Sequence, residues 1–194
     1  MLRLPLVAVL GALTFAPALA AQDTVSRRAA APDSLSIAEV SLSFSVRSLL
    51  VPVEGVLPSD VDDTFRARRS GGRTHRAVDI LAPRGTSVLA VADGEIVRVH
   101  TNRLGGKVLY LRAADGSHDF YYAHLDAYSD LAVVGKTVRQ GDVLGTVGTT
   151  GNARSTPPHL HFQVLRRNGR GRGTPVNPHT LFRQSDLYGR TVRG

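Results

Sequence analysis

From Val51 to Phe182 the chain is cut into short β-branched runs by turn-forming residues, and no segment sustains the 3.6-residue period of an amphipathic helix. "SVLAV" meets Asp93-Gly94, "EIVRV" runs towards Gly105-Gly106, "KVLYL" ends at Asp115-Gly116, "DFYYAHL" follows, and "KTVRQGDVLGTVG" folds back at Gln140-Gly141-Asp142. Runs of this length between Gly, Asp and Asn read as strands joined by hairpins, because those residues accept the backbone angles of tight turns. A meander with no helix to cover it buries its apolar face against a second layer of sheet or by curling on itself. The expectation is a mainly β fold, a compact antiparallel β-sandwich or partly closed barrel built from hairpins, with few or no helices.

The 194 residues leave room for one domain of ordinary size once the first segment is set aside. "MLRLPLVAVLGALTFAPALAAQDT" has a positive charge at Arg3, an apolar stretch from Leu4 to Phe15, and Ala18-Leu19-Ala20 ahead of polar Gln22, the layout of a secretory signal peptide. A retained membrane anchor fits less well, since the stretch is borderline for a span of about 20 residues and contains Pro5 and Pro17. The expected division is a signal peptide over residues 1–20, an extension over 21–50, a β domain over 51–183 and a tail over 184–194. Within the extension "VSLSFSV" alternates from Val40 to Val46 and reads as an edge strand. The mature chain is expected to be a secreted or periplasmic monomer that does not span the membrane.

Cysteine is absent, which excludes a thiol nucleophile, disulfide stapling and a cysteine-ligated zinc. Any metal must be held by histidine and carboxylate. The formal net charge of +8 favours polyanions, and for an exported chain the abundant ones are anionic envelope polymers. Nucleic acid is not expected, because the densest basic stretches, "FRARRSGGRTHR" and "LRRNGRGRG", read as exposed loops without interleaved aromatics or a recognition helix.

Histidines carry the remaining signal. In "STPPHLHFQV" strand alternation puts His159, His161 and Gln163 on one face and Leu160, Phe162 and Val164 on the other, so the imidazoles look away from the core. "THRAVDI" adds His75 and Asp79, and "YYAHL" adds His124. A hydrolytic metal site uses three protein ligands and leaves one position for water, which suits His and Asp without Cys. In a straight strand His75 and Asp79 would lie roughly 13 Å apart. To share an ion, His75 must sit in a loop that curls back onto a strand holding Asp79, and "RSGGRT" has the glycines for it. Alternation places His124 with Tyr122 and Phe120, and a histidine in such a strand is most simply a packed core residue. His100, His118 and His179 read as ordinary surface residues.

Taken in order, HxxxD in "HRAVDI", "APRGTSVLAVADGEIV", "YYAHL", "VRQGDVLGTVGTTG" and HLHF resemble the lysostaphin-type zinc endopeptidases, which cut peptide bonds in bacterial peptidoglycan. The resemblance covers about Val51 to Phe182 and implies a duplicated-hybrid-motif-like β core with a groove between loops. It implies that His75, Asp79 and His161 hold Zn2+ and that His124 and His159 are catalytic, binding and activating water and steadying the tetrahedral intermediate, with a peptidoglycan peptide as substrate. Two departures touch the site: Ala77 stands where the family has Gly in HxGxD, so the backbone there must avoid positive φ, and Pro157-Pro158 replace smaller turn residues before HLH. The alternatives are a catalytically silent cell-wall-binding or hydrolase-activating protein of the same fold and, more remotely, a cytoplasmic sugar-transport phosphocarrier with a histidine pair.

Overall fold

The computed structural model describes residues 49–182 except Arg170 and Arg172; the expected signal peptide, the Val40–Val46 strand and the tail from residue 184 lie outside them. Helical structure among the described residues is limited to single 3₁₀ turns at Pro58–Asp60, Ser70–Gly72, Gly151–Ala153 and Pro178–Leu181. None of their helices is long and apolar enough to cross a membrane. The rest is sheet: β1 (Val78–Leu81), β2 (Ser87–Leu89), β3 (Gly94–Asn102), β4 (Gly106–Ala113), β5 (His118–Tyr128), β6 (Thr137–Val138), β7 (Val143–Val147), β8 (His159–Arg166) and β9 (Thr174–Val176).

All strand pairings are antiparallel, and the main path runs β1-β8-β5-β4-β3-β6, with β7 bridging β5 and β2 and β9 flanking β8. The path ends at β1 and β6 and does not close, in keeping with the expected antiparallel sandwich or partly closed barrel built from hairpins. The meander from β3 to β5 follows chain order, whereas β8 inserts between β1 and β5. That insertion matters most for the site, because it sets Asp79 opposite His161 and Leu81 opposite His159.

The core follows the two-residue period. Leu160, Phe162 and Val164 of β8 are fully buried, while His161 and Gln163 on the other face are partly open. Phe120 and Tyr122 of β5 meet Phe162 at ring separations of 6.4 and 5.2 Å. Leu49 and Leu50 also lie in the core, two residues before the boundary expected at Val51. Burying side chains of this size supplies about 1.5–3 kcal/mol each, and the wide cross-chain contact of β8 ties the first strand to the last.

The face expected for His124 is corrected. Leu109 pairs with Tyr122 and Lys107 with Leu125, so two residues on β4 span three on β5, and the extra residue is a β-bulge. His124 sits in it at φ 64, in the left-handed region. Tyr122 and Leu125 therefore both enter the core, and His124 is turned out of the face it would have shared with Tyr122 and Phe120.

Candidate active site

A short hairpin before β1 delivers the first histidine. Arg68 bridges Thr74, His75 N–H donates to Ala67 O at 2.9 Å, and Arg76 N–H donates to Phe65 O at 2.8 Å. The chain then reverses at Arg76, with φ 58, and enters β1 through buried Ala77, so His75 lies in a loop and Asp79 on a strand as the spacing required. The positive φ falls on Arg76 and not on Ala77, which removes the steric objection to alanine there. Gln163 Nε2 donates to Arg76 O at 2.8 Å and holds the reversal against β8.

Asp79 and His161 face each other across β1 and β8, and His75 completes a triangle. His75 Nε2 lies 3.0 Å from His161 Nδ1 and 3.1 Å from Asp79 Oδ1, and His161 Nδ1 lies 3.0 Å from the same oxygen. His75 Nδ1 sits 3.1 Å from Thr64 O, and since a carbonyl only accepts, this nitrogen carries the proton and Nε2 presents a lone pair to the cluster. Asp79 N–H donates to Thr64 Oγ1 at 3.3 Å, so one threonine orients both residues. Three electron-pair donors pointed at one spot can hold a metal ion, and these are the three side chains so grouped among the described residues. Arg69 Nη2 donates to Asp79 Oδ2 and lies 2.7 Å from His75 Nε2.

The other two histidines stand beside this triangle. The His124 ring centre lies 5.0 Å from that of His159 and 5.7 Å from that of His161. His159 opens β8, and its Nδ1 donates to Pro157 O at 2.8 Å, so the first of the unusual prolines fixes that ring. His124 Nδ1 donates to Thr150 O, and the backbone N–H of His124 donates to Gly105 O at 2.7 Å. In both rings Nε2 is then the nitrogen able to accept a proton. The three sequence segments thus converge in one groove of about 480 Å³, lined by all five histidine and aspartate side chains. His100, His118 and His179 lie outside its lining and are partly buried, not fully exposed; His100 stacks on Tyr110 with centroids 6.2 Å apart.

Electrostatics favour an ionised Asp79 and neutral imidazoles at His161 and His124. Burial alone would raise the Asp79 pKa, but hydrogen bonds and charge from His161 and His75 outweigh it and hold the carboxyl well below its ordinary range. Burial pushes His161 down against the pull of Asp79. For His124 burial lowers the pKa to about 4, opposed by the Thr150 carbonyl and aided by His161 and His159.

The sequence reading did not find Thr64, Arg69, Arg73 or Thr150. Arg69 and Arg73 line the groove, and the one available signal was that both flank the Gly71-Gly72 turn immediately before His75.

The chain matches the family described as Peptidase family M23 over residues 73–178. DD-carboxypeptidase/endopeptidase Mpg of Neisseria meningitidis is 42% identical over 106 residues, 55% of this chain and 22% of that protein. Peptidoglycan DD-endopeptidase ShyC of Vibrio cholerae is 34% identical over 109 residues, 56% of this chain and 23% of that protein. Glycyl-glycine endopeptidase ALE-1 of Staphylococcus capitis is 42% identical over 119 residues, 61% of this chain and 31% of that protein. The chain therefore spans a third or less of the length of these relatives. Among solved structures, a zinc containing peptidase from Vibrio cholerae superposes with a TM-score of 0.53 at 27% identity, over 70% of this chain and 39% of that one. The matched stretch takes in His75, Asp79, the bulge and the His-Leu-His strand that build the groove, and the chain belongs to peptidase family M23.

Proposed function

We propose that this protein is an exported zinc endopeptidase that hydrolyses peptide bonds in the cross-links or stem peptides of bacterial peptidoglycan. The observation that carries the reading is the triangle of His75 Nε2, Asp79 Oδ1 and His161 Nδ1, with sides of 3.0 and 3.1 Å. Ligand atoms about 2.0–2.1 Å from a tetrahedral zinc lie about 3.3 Å from one another, so small outward shifts fit these three to zinc. The family and the zinc containing neighbour support the same ion. When bound, zinc supplies a Lewis acid that polarises the scissile carbonyl and brings the pKa of its water down towards about 7.

The remaining work falls to the chain itself. His75, Asp79 and His161 are the ligands in this proposal, and Thr64 keeps the His75 tautomer and the Asp79 backbone in place. His159 and His124 present Nε2 lone pairs beside the triangle. There one imidazole accepts a proton at Nε2 from the attacking water, and the imidazolium so formed donates to the developing oxyanion before passing that proton to the leaving amine. A domain over residues 51–183, begun two residues earlier at buried Leu49, holds all of these groups, and the Met1–Ala20 segment supports export to the compartment where the wall lies.

Incubating the purified protein with peptidoglycan, with and without a chelator, tests the reading. Release of peptide fragments, stopped by chelation and restored by zinc, is expected. Release that chelation does not stop removes the metal from the account, and no release under any condition points to a silent wall-binding protein.

A further inference from the structure

The groove is charged on one side only. Its hairpin wall is the turn from Arg69 to Arg73, closed by Arg69 N–H donating to Arg73 O at 2.8 Å, with Gly71 and Gly72 at φ 73 and 71 making the reversal. The turn therefore sets a guanidinium-bearing residue at each of its ends, and both line the groove. The facing wall, with Leu104, Gly105, Asn152, Ala153, Thr156 and Pro157, has no ionisable side chain. Among the described residues Asp79 is the only carboxylate in the lining, and its Oδ2 accepts from Arg69. Arg73 differs from Arg69: its Nε donates to Ser70 O at 3.2 Å, and no carboxylate lies within ion-pair distance of it among the described residues.

An arginine anchored through Nε keeps both terminal nitrogens for a ligand, and the ligand its planar fork fits best is a carboxylate. Walls of low dielectric focus its field within the groove, and a bound dication would add to it. A neutral peptide gains nothing from this excess of positive charge, whereas a peptide with a free carboxylate beside the scissile bond gains a charge-assisted pair. We propose that Arg73 is a specificity-determining residue that selects anionic peptides, those with a free carboxylate next to the bond cut, over neutral ones. The inference rests on the peptidase reading for the word "cut" but not for the binding preference. It separates this groove from what suits a glycyl-glycine bridge, which has no side-chain carboxylate to offer.

The test uses two synthetic tetrapeptides, L-Ala–D-Glu–L-Lys–D-Ala with the Glu joined to Lys through its γ-carboxyl and the C-terminus amidated, one with the Glu α-carboxylate free and one with it as the carboxamide. Affinity is measured by calorimetry on the full chain loaded with zinc and bearing His159→Ala, and kcat/KM on the wild type in parallel. About tenfold tighter binding of the acid is expected, shrinking with added salt and lost in Arg73→Gln. Arg66→Gln, on the same hairpin but outside the groove lining, is expected to keep the preference, which separates local pairing from general attraction. Equal affinity for the two peptides, or a preference that survives Arg73→Gln, overturns the proposal. A binding preference without cleavage of either peptide sinks the peptidase reading and leaves this one standing; cleavage of both at equal kcat/KM with no binding preference does the reverse.

Discussion

His124 Nδ1 lies 2.8 Å from the carbonyl oxygen of Thr150, a bond that joins the bulge in β5 to the loop leading into β8. The same threonine holds both strands at one end of the bulge. Its Oγ1 accepts from Lys107 N–H at 2.9 Å and donates to Leu125 O at 2.9 Å. His124 is thus held in a left-handed conformation by a residue with no place in the chemistry, and four predictions follow from this and neighbouring contacts.

Gly106 is where this clamp leaves no room. A Cβ added there would lie 2.2 Å from Thr150 Oγ1 and 2.4 Å from Gly151 N, at a φ of 66 that L side chains rarely adopt. Gly106→Ala is expected to shift Thr150 and with it His124, lowering kcat by about tenfold to a hundredfold, in line with the cost of an ångström of misplacement. Zinc content should stay at the wild-type value. Metal analysis beside turnover checks this, and unchanged kcat would show that the clamp does not set the ring.

The division between ligands and proton carriers predicts two different losses. His161→Ala is expected to remove bound zinc and activity together, because it deletes one corner of the triangle. His124→Ala is expected to retain zinc and lose turnover. Equal metal loss in the two variants would show that the roles are assigned wrongly.

Acid should weaken the zinc-free fold through His124. Its imidazole titrates near 6.5 when free and is pushed by burial to about 4 in the fold, so between those values the unfolded chain binds the proton and the folded chain refuses it. Stability attributable to this group is complete above about pH 6.5 and drains as pH falls towards 4. Urea unfolding of the metal-free protein from pH 7 to 4 should show a decline, and His124→Gln should make it shallower. A slope identical in the two proteins would place the acid sensitivity elsewhere.

Tyr122 offers a test of the core apart from the site. Val91 N–H donates to the Tyr122 hydroxyl at 3.1 Å, and both residues are fully buried. Tyr122→Phe leaves that N–H without its partner, at a cost of about 1–3 kcal/mol measured by chemical denaturation. Turnover per folded molecule should be unchanged, since the hydroxyl points into the core.

The parts of this molecule legible in its sequence are those governed by local periodicity. Strict alternation through His159, Leu160, His161, Phe162, Gln163 and Val164 separates groove from core, and the strand holding Asp79 was readable from "VDILAP". The same rule misplaced His124, because the bulge that turns it is set by Gly105, Gly106 and Thr150, which meet it only in the fold. Strand order beyond the meander was not readable either, since the insertion of β8 between β1 and β5 is decided by packing between distant segments. Arg69 and Arg73 were read as solvated loop charges, and only the hairpin's position against β1 and β8 brings them to the groove.

The register that sets Asp79 against His161 spans most of the domain, so the proposed metal seat is complete only when β8 has docked beside β1. A chain halted anywhere before residue 161 lacks a corner of that seat, and its scattered histidines are then ordinary side chains. The three-cornered cluster therefore rests on a pairing of high sequence separation, the kind of contact that folds slowly. For a proposed hydrolase of the wall, the order of the strands thus withholds the complete site until the domain itself is nearly complete.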